Sequence, residues 1–441
     1  MSTRYRVHCA TYNGHLGRGH TLSYTPSDLA AWLGPALAPS TASGEEGADE
    51  DLAPPEFVAV GFQELMPLHL ALVGLTSPTL DLHEQQLLQA IEAAYASSSS
   101  TSEKPAPASA PAYTLLARHS LGGIALLVFA LQPVAKRVTH VALATAGCGV
   151  GGLMGNKGAV GVRVTLREEE EEVEVEKGEE GARESTWTFV NAHLAAHGSE
   201  KHVKRRNWDG GEIVRRLVFE EEKGGEVRMF DTGHLFFFGD LNYRLTPSAY
   251  SDLPALSSQL STLTSSSCTS STFSTAHSSL FAHDQLTCEF RAGRTLHHLL
   301  EGVPSFAPTY KFRLGSRDQY VDVKKRVGWT DRVLYASAAG GEAKVESYRS
   351  VMDFTRSDHK PVSALISLPR SLSSHRLPHP NPFPLDPLWR LKRLLGLLLD
   401  RSVGGVWCLV VLAGLGRGER LGLVNLALAV LALYFRRSFW Q

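Results

Sequence analysis

The sequence predicts a mixed α/β fold that forms one large domain, followed by an apolar helical tail. Apolar runs of strand length recur over the first 370 residues, and stretches with helical spacing separate them. Several of these runs end in a carboxylate, an amide or a histidine. The chain has 441 residues, of which 43% are hydrophobic, and a fold of two sheets can take about 300 residues as one piece.

The elements of the first part of the chain follow from their periodicity. Arg4–Asn13 alternates as a strand, and Phe57–Glu64 is a continuous apolar run, typical of a buried strand, that ends in a carboxylate. Glu64 is either a solvated strand end or a metal ligand at the same sheet edge as Asn13. The other predicted elements are a short helix over 27–33, a helix over 81–96, a strand pair at Tyr113–Ala117 and Ile124–Leu131 around a Gly-Gly turn, and a strand at Val138–Ala144.

A glycine-rich stretch, Gly147–Arg163, carries Asn156 and Lys157. Glycines let a backbone approach an anion closely, and a lysine adds positive charge. The stretch lacks the GxxxxGK[ST] spacing of a Walker loop. It is therefore either an anion-binding loop or a plain glycine-rich hairpin.

The next strand, Thr186–His193, places His193 at its end. A single histidine there is more often structural than catalytic, but its position at another strand end favours a role in the site. The helix that follows opens with a basic cluster of Lys204, Arg205 and Arg206. This cluster is either solvated or faces an anionic substrate.

The segment Phe236–Arg244 reads FFFGDLNYR and is the strongest candidate for a catalytic motif. The apolar run predicts a buried strand, Gly239 breaks it, and Asp240 and Asn242 follow at its end. Alternation aims both side chains to the same side, where a carboxylate and an amide could hold and orient a water molecule. The alternative is a simple Asp-Leu-Asn turn.

Polar groups mark the last predicted elements as well. A helix is predicted over 284–301, and the strand ends that follow carry Tyr310 and Lys311 in APTYKFR, Asp331 in WTDRVLY, and Asp358 and His359 in FTRSDHKPVSALI. Strands that deliver these groups to one side of a sheet would build a cleft with a site for a hard cation and a His–Asp pair. Oxygen ligands suit Mg²⁺, and a cation beside an activated water is what phosphoester hydrolysis requires.

Composition narrows the class of protein further. The net charge of −1 gives no basic bias of the kind that nucleic-acid binders show. The five cysteines are scattered without a CxxC pair, which predicts reduced thiols and no zinc site. The first residues lack the apolar core of a signal peptide, so we expect the domain to face the cytosol. Low-complexity composition predicts disordered insertions near 38–55, 97–111, 168–184 and 246–275.

The motifs together resemble the inositol polyphosphate 5-phosphatases of the deoxyribonuclease I-like endonuclease/exonuclease/phosphatase superfamily. The matching segments, in family order, are TYNG, GFQE, MGNKGAVGVR, NAHLAAH, RRN, FFFGDLNYR, PTYKF, WTDRVLY and SDHKPV. They span residues 4–368 and predict a catalytic domain over 1–370. The resemblance implies a four-layer α/β/β/α sandwich of two packed mixed sheets.

The resemblance also implies roles for individual residues. Glu64 with Asn13, and Asp358 beside them, would hold Mg²⁺; Asp240 would orient and deprotonate the attacking water, and Asn242 would position it. His359 paired with Asp331 would stabilise the scissile 5-phosphate, and His193 would contact it too. Tyr310 and Lys311 would bind the 4-phosphate, and the remaining substrate contacts would be Asn156, Lys157, Arg244 and Arg332.

Two positions depart from the family pattern. Val327 and Gly328 stand where the family has Pro and a small residue before the tryptophan, which puts the rigidity of that loop in question. Tyr12 replaces the usual Trp or Phe, a mild change.

The tail after the domain changes character. A Pro/Ser-rich linker is predicted over 371–387, and residues 388–441 are predicted to anchor the chain to a membrane. Leu388–Leu399 mixes leucines with basic residues and suits an anionic membrane surface. Two apolar runs follow, Val403–Leu415 and Leu421–Phe435; the second would span only about 22 Å as a helix, less than the roughly 30 Å of a bilayer core. A short anchor or a shallow hairpin therefore fits better than one comfortable span.

The sequence thus predicts a Mg²⁺-dependent, monomeric phosphatase. It would remove the 5-phosphate of phosphatidylinositol 4,5-bisphosphate at the cytosolic face of a membrane and bind no nucleic acid. Some fungal 5-phosphatases that the chain resembles are anchored to the endoplasmic reticulum through their C-terminus, which implies the same membrane here. The alternatives are a 5-phosphatase for soluble inositol phosphates or other phosphoinositides, a nuclease on the same scaffold, and a non-catalytic phosphoinositide binder.

Overall fold

A computed structural model describes residues 4–16, 24–37, 54–99, 112–168, 184–221, 224–370, 376–414 and 419–438. Its strands are β1 (Arg4–Asn13), β2 (Phe57–Gln63), β3 (Tyr113–Leu121), β4 (Ile124–Leu131), β5 (Val138–Gly147), β6 (Gly158–Arg167), β7 (Glu184–His193), β8 (Val218–Glu220), β9 (Glu226–Arg228), β10 (His234–Asp240), β11 (Leu300–Glu301), β12 (Asp331–Ser337), β13 (Lys344–Ser350) and β14 (Val362–Pro369). Its helices are α1 (Pro26–Leu37), α2 (Leu68–Leu72), α3 (Ser77–Ser99), α4 (Gln132–Ala135), α5 (Glu200–Arg216), α6 (Leu253–Thr264), α7 (Ser270–Phe281), α8 (Gln285–Arg291), α9 (Val323–Arg326), α10 (Trp389–Ala413) and α11 (Glu419–Ser438).

The strands form two six-stranded mixed sheets and a small two-stranded one. Sheet I has the order β13-β14-β1-β2-β4-β3, and sheet II has the order β11-β12-β10-β7-β6-β5. Each contains one parallel pair, β1 with β2 and β7 with β10, and the other neighbours are antiparallel. A parallel pair needs a long crossover, and α1 and α5 lie in the two crossovers.

Three apolar cores hold four layers together. The central core lies between the sheets, where Phe57 stacks near Trp187 and Phe189. A second core joins sheet I to α1 and α3, and a third joins sheet II to α5 and α8. The predicted α/β/β/α sandwich is confirmed.

A polar network crosses the central core beneath the strand ends. Asn191 in sheet II donates to the carbonyl oxygens of Phe62 (2.9 Å) and Ala125 (2.7 Å) in sheet I, and Gln63 donates to the Asn191 amide oxygen at 2.6 Å. Buried amides must be satisfied in this way, since an unpaired one costs about 1–3 kcal/mol. The network therefore fixes the position of one sheet relative to the other.

The prediction of a disordered insertion over 246–275 is wrong for the Ser/Thr-rich segment. The structure forms α6 and α7 there, and each begins with a side-chain cap, Asp252 or Thr269. Leu256, Leu260 and Leu263 bury one face of α6, so three leucines at helical spacing outweigh the polar composition. Most of the other three predicted insertions, residues 38–53, 100–111 and 169–183, lies outside the described residues.

The predicted linker packs on the domain rather than standing free of it. Among residues 376–387, Leu377 donates its N–H to the Thr232 carbonyl at 2.9 Å, and the Phe383 carbonyl accepts from Arg228 at 3.0 Å. Phe383 also lies under the Arg215 guanidinium. Helix α10 then runs without a break across the position where the sequence predicts a change from a basic to an apolar segment.

One helix of the described residues, α10, is long and apolar enough to cross a membrane. The apolar part of α11, Arg420–Leu431, is shorter. The two helices form a hairpin in which the Asn425 side chain donates to the Ala413 carbonyl at 2.7 Å.

Candidate active site

The candidate site lies where the ends of the central strands of both sheets meet. Asn13 ends β1 in sheet I, and its amide donates to Asp240 Oδ2 at 2.9 Å across the sheet interface. Asp240 ends β10, where the parallel register sets His193 beside it and the antiparallel register sets Asp331 on its other side. Carboxyl ends of parallel strands share a sheet edge, and this brings the predicted groups together.

Asp240 is buried and accepts hydrogen bonds from several sides. Asn242 donates to it through its backbone N–H at 3.0 Å and its amide at 3.1 Å, and His193 Nε2 lies 3.3 Å from Oδ2. Burial disfavours its charged form, but His359, His193 and Lys157 outweigh burial and hold the pKa of Asp240 well below its usual range. The carboxylate is therefore ionised at neutral pH.

Gly239 lets the strand turn into the cleft. Its φ of 139° lies where side chains are strained, and a Cβ there would overlap the Ala192 carbonyl of the neighbouring strand. Asn242, two residues after Asp240, adopts the left-handed conformation with φ 59°. Its amide donates to both Asp240 and the Leu194 carbonyl, so the FFFGDLNYR segment forms a turn that also aims a carboxylate.

His359 forms the predicted pair with Asp331 and also faces Asp240. Its Nδ1 lies 3.0 Å from Asp331 Oδ2, and its Nε2 lies 3.9 Å from Asp240 Oδ2. Burial alone would lower the pKa of His359, but the two carboxylates raise it to about 10. His359 is therefore an imidazolium at neutral pH, and its Nε2 end faces the cleft.

His193, unlike His359, is neutral. Burial and the neighbouring Lys157 ammonium, which contacts Nε2, lower the pKa of His193 below its ordinary value. Burial also lowers the pKa of Lys157. The site thus holds one neutral and one cationic imidazole on either side of the Asp240 carboxylate.

Further cationic groups line the cleft beside His359. The Tyr310 ring packs on His359 with centroids 4.4 Å apart, and the Arg244 guanidinium lies 4.8 Å from the centre of that ring. Lys311 lies 5.6 Å above the same ring and 3.2 Å from Asp358. With Lys157 and His359, these residues give a cleft that suits a ligand with more than one phosphate.

The side chain of Asn156 stabilises the glycine-rich loop from within. Its side-chain oxygen accepts from the Val150 N–H at 3.2 Å and so closes the loop on itself. Arg205 adds an external brace by donating to the carbonyls of Cys148 (2.5 Å) and Gly149 (3.2 Å). Of the two readings of the loop, a plain hairpin does not account for Lys157 in the site.

The basic cluster on α5 divides its roles among its members. Arg206 is buried and donates to the Ala195 and His197 carbonyls, and the exposed Lys204 pairs with Glu200 at 3.0 Å. The sequence predicted that this cluster is either solvated or faces an anionic substrate. Arg205 and Arg206 do neither, because they bind backbone carbonyls of segments around the site.

The donors predicted for a metal fit Mg²⁺ in part. Glu64 follows β2 with φ 49°, and its side chain is 35% exposed with Oε1 4.0 Å from His193 Nε2. Glu64 and the Asn13 amide oxygen are hard oxygen donors at one corner of the cleft, which suits a cation that keeps most of its waters. Asp358 differs from the prediction because its Oδ2 pairs with Lys311 Nζ at 3.2 Å, and its Oδ1 lies 3.2 Å from His15 Nδ1.

A second group of potential ligands has a different explanation. Asp240, Asp331 and His359 each offer one atom within 4.8 Å of the others. Because His359 is protonated, it serves these carboxylates as a counter-ion, and a metal would have to displace its proton. Glu64 and Asn13 remain the metal ligands that the sequence predicts.

Arg332 corrects the predicted set of substrate contacts. The structure buries it completely, with bonds to Glu301 at 2.7 and 2.6 Å and to Asp284 at 2.9 Å. Neighbouring residues on a strand point to opposite faces, and Asp331 faces the cleft, so Arg332 must face the core behind it. It is a structural residue.

The Val327-Gly328 departure has a packing reason. A Cβ on Gly328 would lie 2.5 Å from Arg244 Cα. Gly328 also exchanges two backbone hydrogen bonds with Tyr310, at 3.0 and 3.2 Å. The loop is held by these bonds and by buried Val327, so proline is not needed for order. Tyr12 is buried against Trp32 and Phe354.

Sequence reasoning missed the hydroxyls around Asp331. Thr309 and Thr330 donate to Asp331 Oδ2 at 2.7 and 2.8 Å. Both stand beside motif residues, in APTYKFR and WTDRVLY, and that adjacency was the available signal. These two hydroxyls orient the Asp331 carboxylate, which in turn orients the His359 ring.

Comparisons with known proteins agree with this geometry. The family model of endonuclease/exonuclease/phosphatase family 2 matches residues 11–365. Synaptojanin-1 of Rattus norvegicus is 31% identical over 334 residues, which is 75% of this chain and 18% of synaptojanin-1. Type IV inositol polyphosphate 5-phosphatase 3 of Arabidopsis thaliana is 32% identical over 262 residues, 58% of this chain and 34% of the relative. The chain thus corresponds to only part of these relatives.

Solved structures show the same fold. The inositol polyphosphate 5-phosphatase domain of SPsynaptojanin, in complex with inositol (1,4)-bisphosphate and calcium ion, has a TM-score of 0.57 at 23% identity and covers 91% of this chain and 90% of its own. A Cimex nitrophorin ferrous NO complex has a TM-score of 0.50 at 18% identity, covering 84% and 100%. Because proteins with different activities share the fold, function must be argued from the site.

The burial of Arg332 predicts that removing its charge lowers the free energy of unfolding. Arg332→Met would leave Asp284 and Glu301 buried without their cation, so we expect the free energy of unfolding to fall by about 3–5 kcal/mol. Urea unfolding of the full chain measures this. The matched control is Arg244→Met, which removes a cation held by an amide and an aromatic ring, and it should cost less than about 1.5 kcal/mol. Equal losses in the two variants would contradict the structural assignment of Arg332.

Proposed function

The chain belongs to endonuclease/exonuclease/phosphatase family 2, and from that premise we propose that it is a Mg²⁺-dependent phosphatase that removes the 5-phosphate of phosphatidylinositol 4,5-bisphosphate at a membrane surface. One observation carries the proposal: the His359 imidazolium is held between Asp331 and Asp240 at the mouth of a cleft lined by cations. A fixed cation there can neutralise the charge that develops on a phosphoryl oxygen during transfer.

The attacking water is assigned to Asp240 and Asn242. Asp240 is a weak base because its pKa is low, but a loose phosphoryl-transfer transition state needs little help from a base. Its main effect is to accept a hydrogen bond from the water and fix its direction of attack. The Asn242 amide and the neutral His193 complete the arrangement. The water's proton passes to Asp240 as the new P–O bond forms and the bond from phosphorus to the inositol 5-oxygen breaks, and a proton from solvent neutralises the leaving oxygen.

Mg²⁺ held by Glu64 and Asn13 would neutralise charge on the scissile phosphate and orient it. Lys157, at the end of the glycine-rich loop, would add a second positive contact beside His193, which it touches. His359 donates from Nε2 to a phosphate oxygen. These three contacts surround one phosphate and leave the approach from Asp240 open.

A second phosphate is assigned to Tyr310, Lys311 and Arg244. These residues lie on the His359 side of the cleft, where a phosphate next to the scissile one on an inositol ring would lie. Their presence favours an inositol bisphosphate head group over a simple phosphomonoester. The relatives named for 5-phosphatase activity, together with this pair of phosphate subsites, support the assignment.

Three alternative functions predict different experimental results. A 5-phosphatase for soluble inositol phosphates, or for other phosphoinositides, would use the same cleft, but the apolar tail favours a lipid substrate. A nuclease would not need the Tyr310–Lys311 pair and would nick plasmid DNA. A non-catalytic phosphoinositide binder would show no turnover above a Glu64→Ala control, although the residues for catalysis are all in place.

The setting of the reaction is proposed from the tail. Helix α10 is long and apolar enough to reach into a bilayer, and we assign residues 388–441 to membrane attachment, with the catalytic domain on the cytosolic side and the endoplasmic reticulum as the membrane. Attachment would concentrate the enzyme on a lipid surface. The site needs no second copy, and we assign the active unit as a monomer.

A substrate panel is the direct test. We expect full-length protein to release phosphate from phosphatidylinositol 4,5-bisphosphate in vesicles faster than from other phosphoinositides or soluble inositol phosphates, and only from the 5-position. Asp240→Asn should lower kcat by about 10²–10⁴-fold, the usual contribution of such a group. Wild-type release by Asp240→Asn protein, or equal rates on plasmid DNA and lipid, would refute the proposal.

The metal assignment predicts a specific change in cation dependence. Glu64→Gln removes the main anionic ligand, so the Mg²⁺ concentration that gives half-maximal rate should rise by at least about tenfold. Titration of chelator-treated protein with Mg²⁺ measures it. Asp358→Asn is the matched control and should leave the Mg²⁺ requirement near wild type, because Asp358 faces Lys311 and His15. A larger effect of Asp358→Asn would return it to the metal site.

The charge on His359 predicts the alkaline limit of activity. Its folded pKa of about 10 lies above the ordinary 6.5, so the cation, and the stability it contributes, is present below pH 6.5 and lost as pH rises through about 10. Asp331→Asn removes the larger of the two carboxylate effects, and the alkaline limb of kcat/KM should move down by about 1–3 pH units.

The pH–rate profile of Asp331→Asn measures that shift, with Thr309→Val as control. Thr309→Val removes a hydrogen bond to Asp331 but not its charge, so its shift should be much smaller. An unchanged alkaline limb in Asp331→Asn would mean that another group sets it.

A further inference from the structure

Helix α10 turns its apolar face away from the protein, which is the reverse of a surface helix in a soluble domain. Such a helix normally turns its apolar face toward the protein. In α10 the face toward the protein carries Trp389, Gly396, Asp400 and Gly404, all buried. The opposite face carries aliphatic side chains at helical spacing, each at least 41% exposed: Leu391, Leu394, Leu395, Leu398, Val406, Leu409 and Leu412.

The inner face of α10 is attached to the two loops that flank the proposed site. Asp400 is 4% exposed and accepts the Gly155 N–H at 3.0 Å, two residues before Lys157. A Cβ on Gly404 would lie 2.8 Å from Leu72 Cβ in α2, the helix that follows Glu64. Arg401 adds a contact to the Leu72 carbonyl at 3.4 Å. The helix therefore lies across both the Glu64 side and the Lys157 side of the cleft.

The basic residues near the start of α10 face the protein. Arg390 pairs with Glu226 at 2.8 Å and Glu220 at 3.5 Å, and Lys392 pairs with Asp386 at 2.6 Å. These basic side chains reach from the flanks of α10 to carboxylates of the domain while staying partly exposed. The outer surface of α10 between them is apolar.

We propose that α10 lies flat in a lipid surface, with its outer aliphatic face in the bilayer and its inner face docked on the catalytic domain, and does not cross the membrane. The proposal extends the membrane attachment proposed above. Docking contacts run from Trp389 to Cys408, whose Sγ lies 3.7 Å from the His69 carbonyl. A crossing helix would carry this docked surface, with its Glu220 and Glu226 carboxylates, into hydrocarbon, where charge is costly.

A lipid surface fits the outer face better than a second protein does. Protein interfaces use aromatic and Arg anchors with polar groups around them. The outer face of α10 has only aliphatic residues with Ser402 and Gly405 between them. The exposed leucines and valines of α11, Leu421, Leu423, Val424, Leu428 and Leu431, add to the apolar surface. So large an apolar area is typical of a membrane contact.

Docking places the cleft at the level of the lipid head groups. The segments that α10 contacts adjoin Glu64 and Lys157, and both of these side chains lie next to His193 Nε2, so the docked helix lies near this corner of the site. A head group could enter it while its acyl chains stay in the bilayer that holds the outer face. The tail is thus part of the substrate-binding surface and not a tether.

Depth measurements test the orientation without relying on catalysis. Single cysteines replace Leu391, Leu398 or Leu409 in a full-length chain with serine at the partly exposed Cys268, Cys288 and Cys408, and each carries an environment-sensitive fluorophore. The protein binds phosphatidylcholine vesicles that contain no phosphoinositide, and lipids brominated at different acyl positions quench the label. We expect equal, shallow depths at all three positions, with a blue shift on binding.

The opposing outcomes are distinct. Position 398 lies about 10 Å from 391 and about 16 Å from 409 along a helix, so a crossing helix would place 398 much deeper than the other two and overturn the proposal. Labels that lipid does not quench would also overturn it and would indicate a protein contact. Because no substrate is present, failure of the 5-phosphatase assignment would not alter these results.

A matched pair of glycines tests the docking. Gly404→Leu should separate the helix from α2, and the three depths should then differ. Gly405→Leu points into open space and should leave them equal. Equal depths in Gly404→Leu would show that docking does not set the orientation of the helix.

Discussion

The contact between the two sheets at their strand ends is the constraint on which the site depends. Asn13 of sheet I donates to Asp240 of sheet II, and His359, which precedes β14 of sheet I, pairs with Asp331 of sheet II. Below them, Asn191 joins the sheets through buried hydrogen bonds. These two pairs each take one member from each sheet, so a shift of one sheet against the other would separate both at once. The packing of the large aromatic residues between the sheets therefore also sets the geometry of the cleft.

Environment, more than residue type, assigns the two histidines their roles. His193 and His359 are both buried at strand ends, and burial alone would keep both neutral. At His359 two carboxylates outweigh burial, while at His193 burial and the Lys157 ammonium outweigh the nearby carboxylates, so one becomes a cation and the other does not. Asp240 lies between them and remains ionised. One buried carboxylate can therefore orient a nucleophile while it helps hold a proton on the group opposite.

The sequence predicted the site where its residues end strands, because the order of motifs and the alternation of side chains place Asp240, His193, Asp331 and His359 together. Alternation also could have excluded Arg332, which directly follows the cleft-facing Asp331. The helices over 253–281 were missed because serine and threonine dominate the composition, although Leu256, Leu260 and Leu263 keep helical spacing. The partners of Arg205 and Asp400 could not be predicted: they are distant carbonyl and amide groups of the backbone, which carry no sequence signal. Asp400, the single carboxylate within α10, was the sign of its role.

The docking of α10 changes what a tail contributes to an enzyme at a surface. A flexible tether raises the local concentration of substrate but leaves the domain free to rotate, and each productive encounter then loses that rotational freedom. When a helix is fixed to the domain by Asp400, Gly404 and the paired basic residues, the domain loses this rotational freedom once, during folding. The orientation of the cleft then follows from the face that the helix turns to the lipid. This explains why the inner face of α10 carries glycines and a buried carboxylate that a simple membrane anchor would not need.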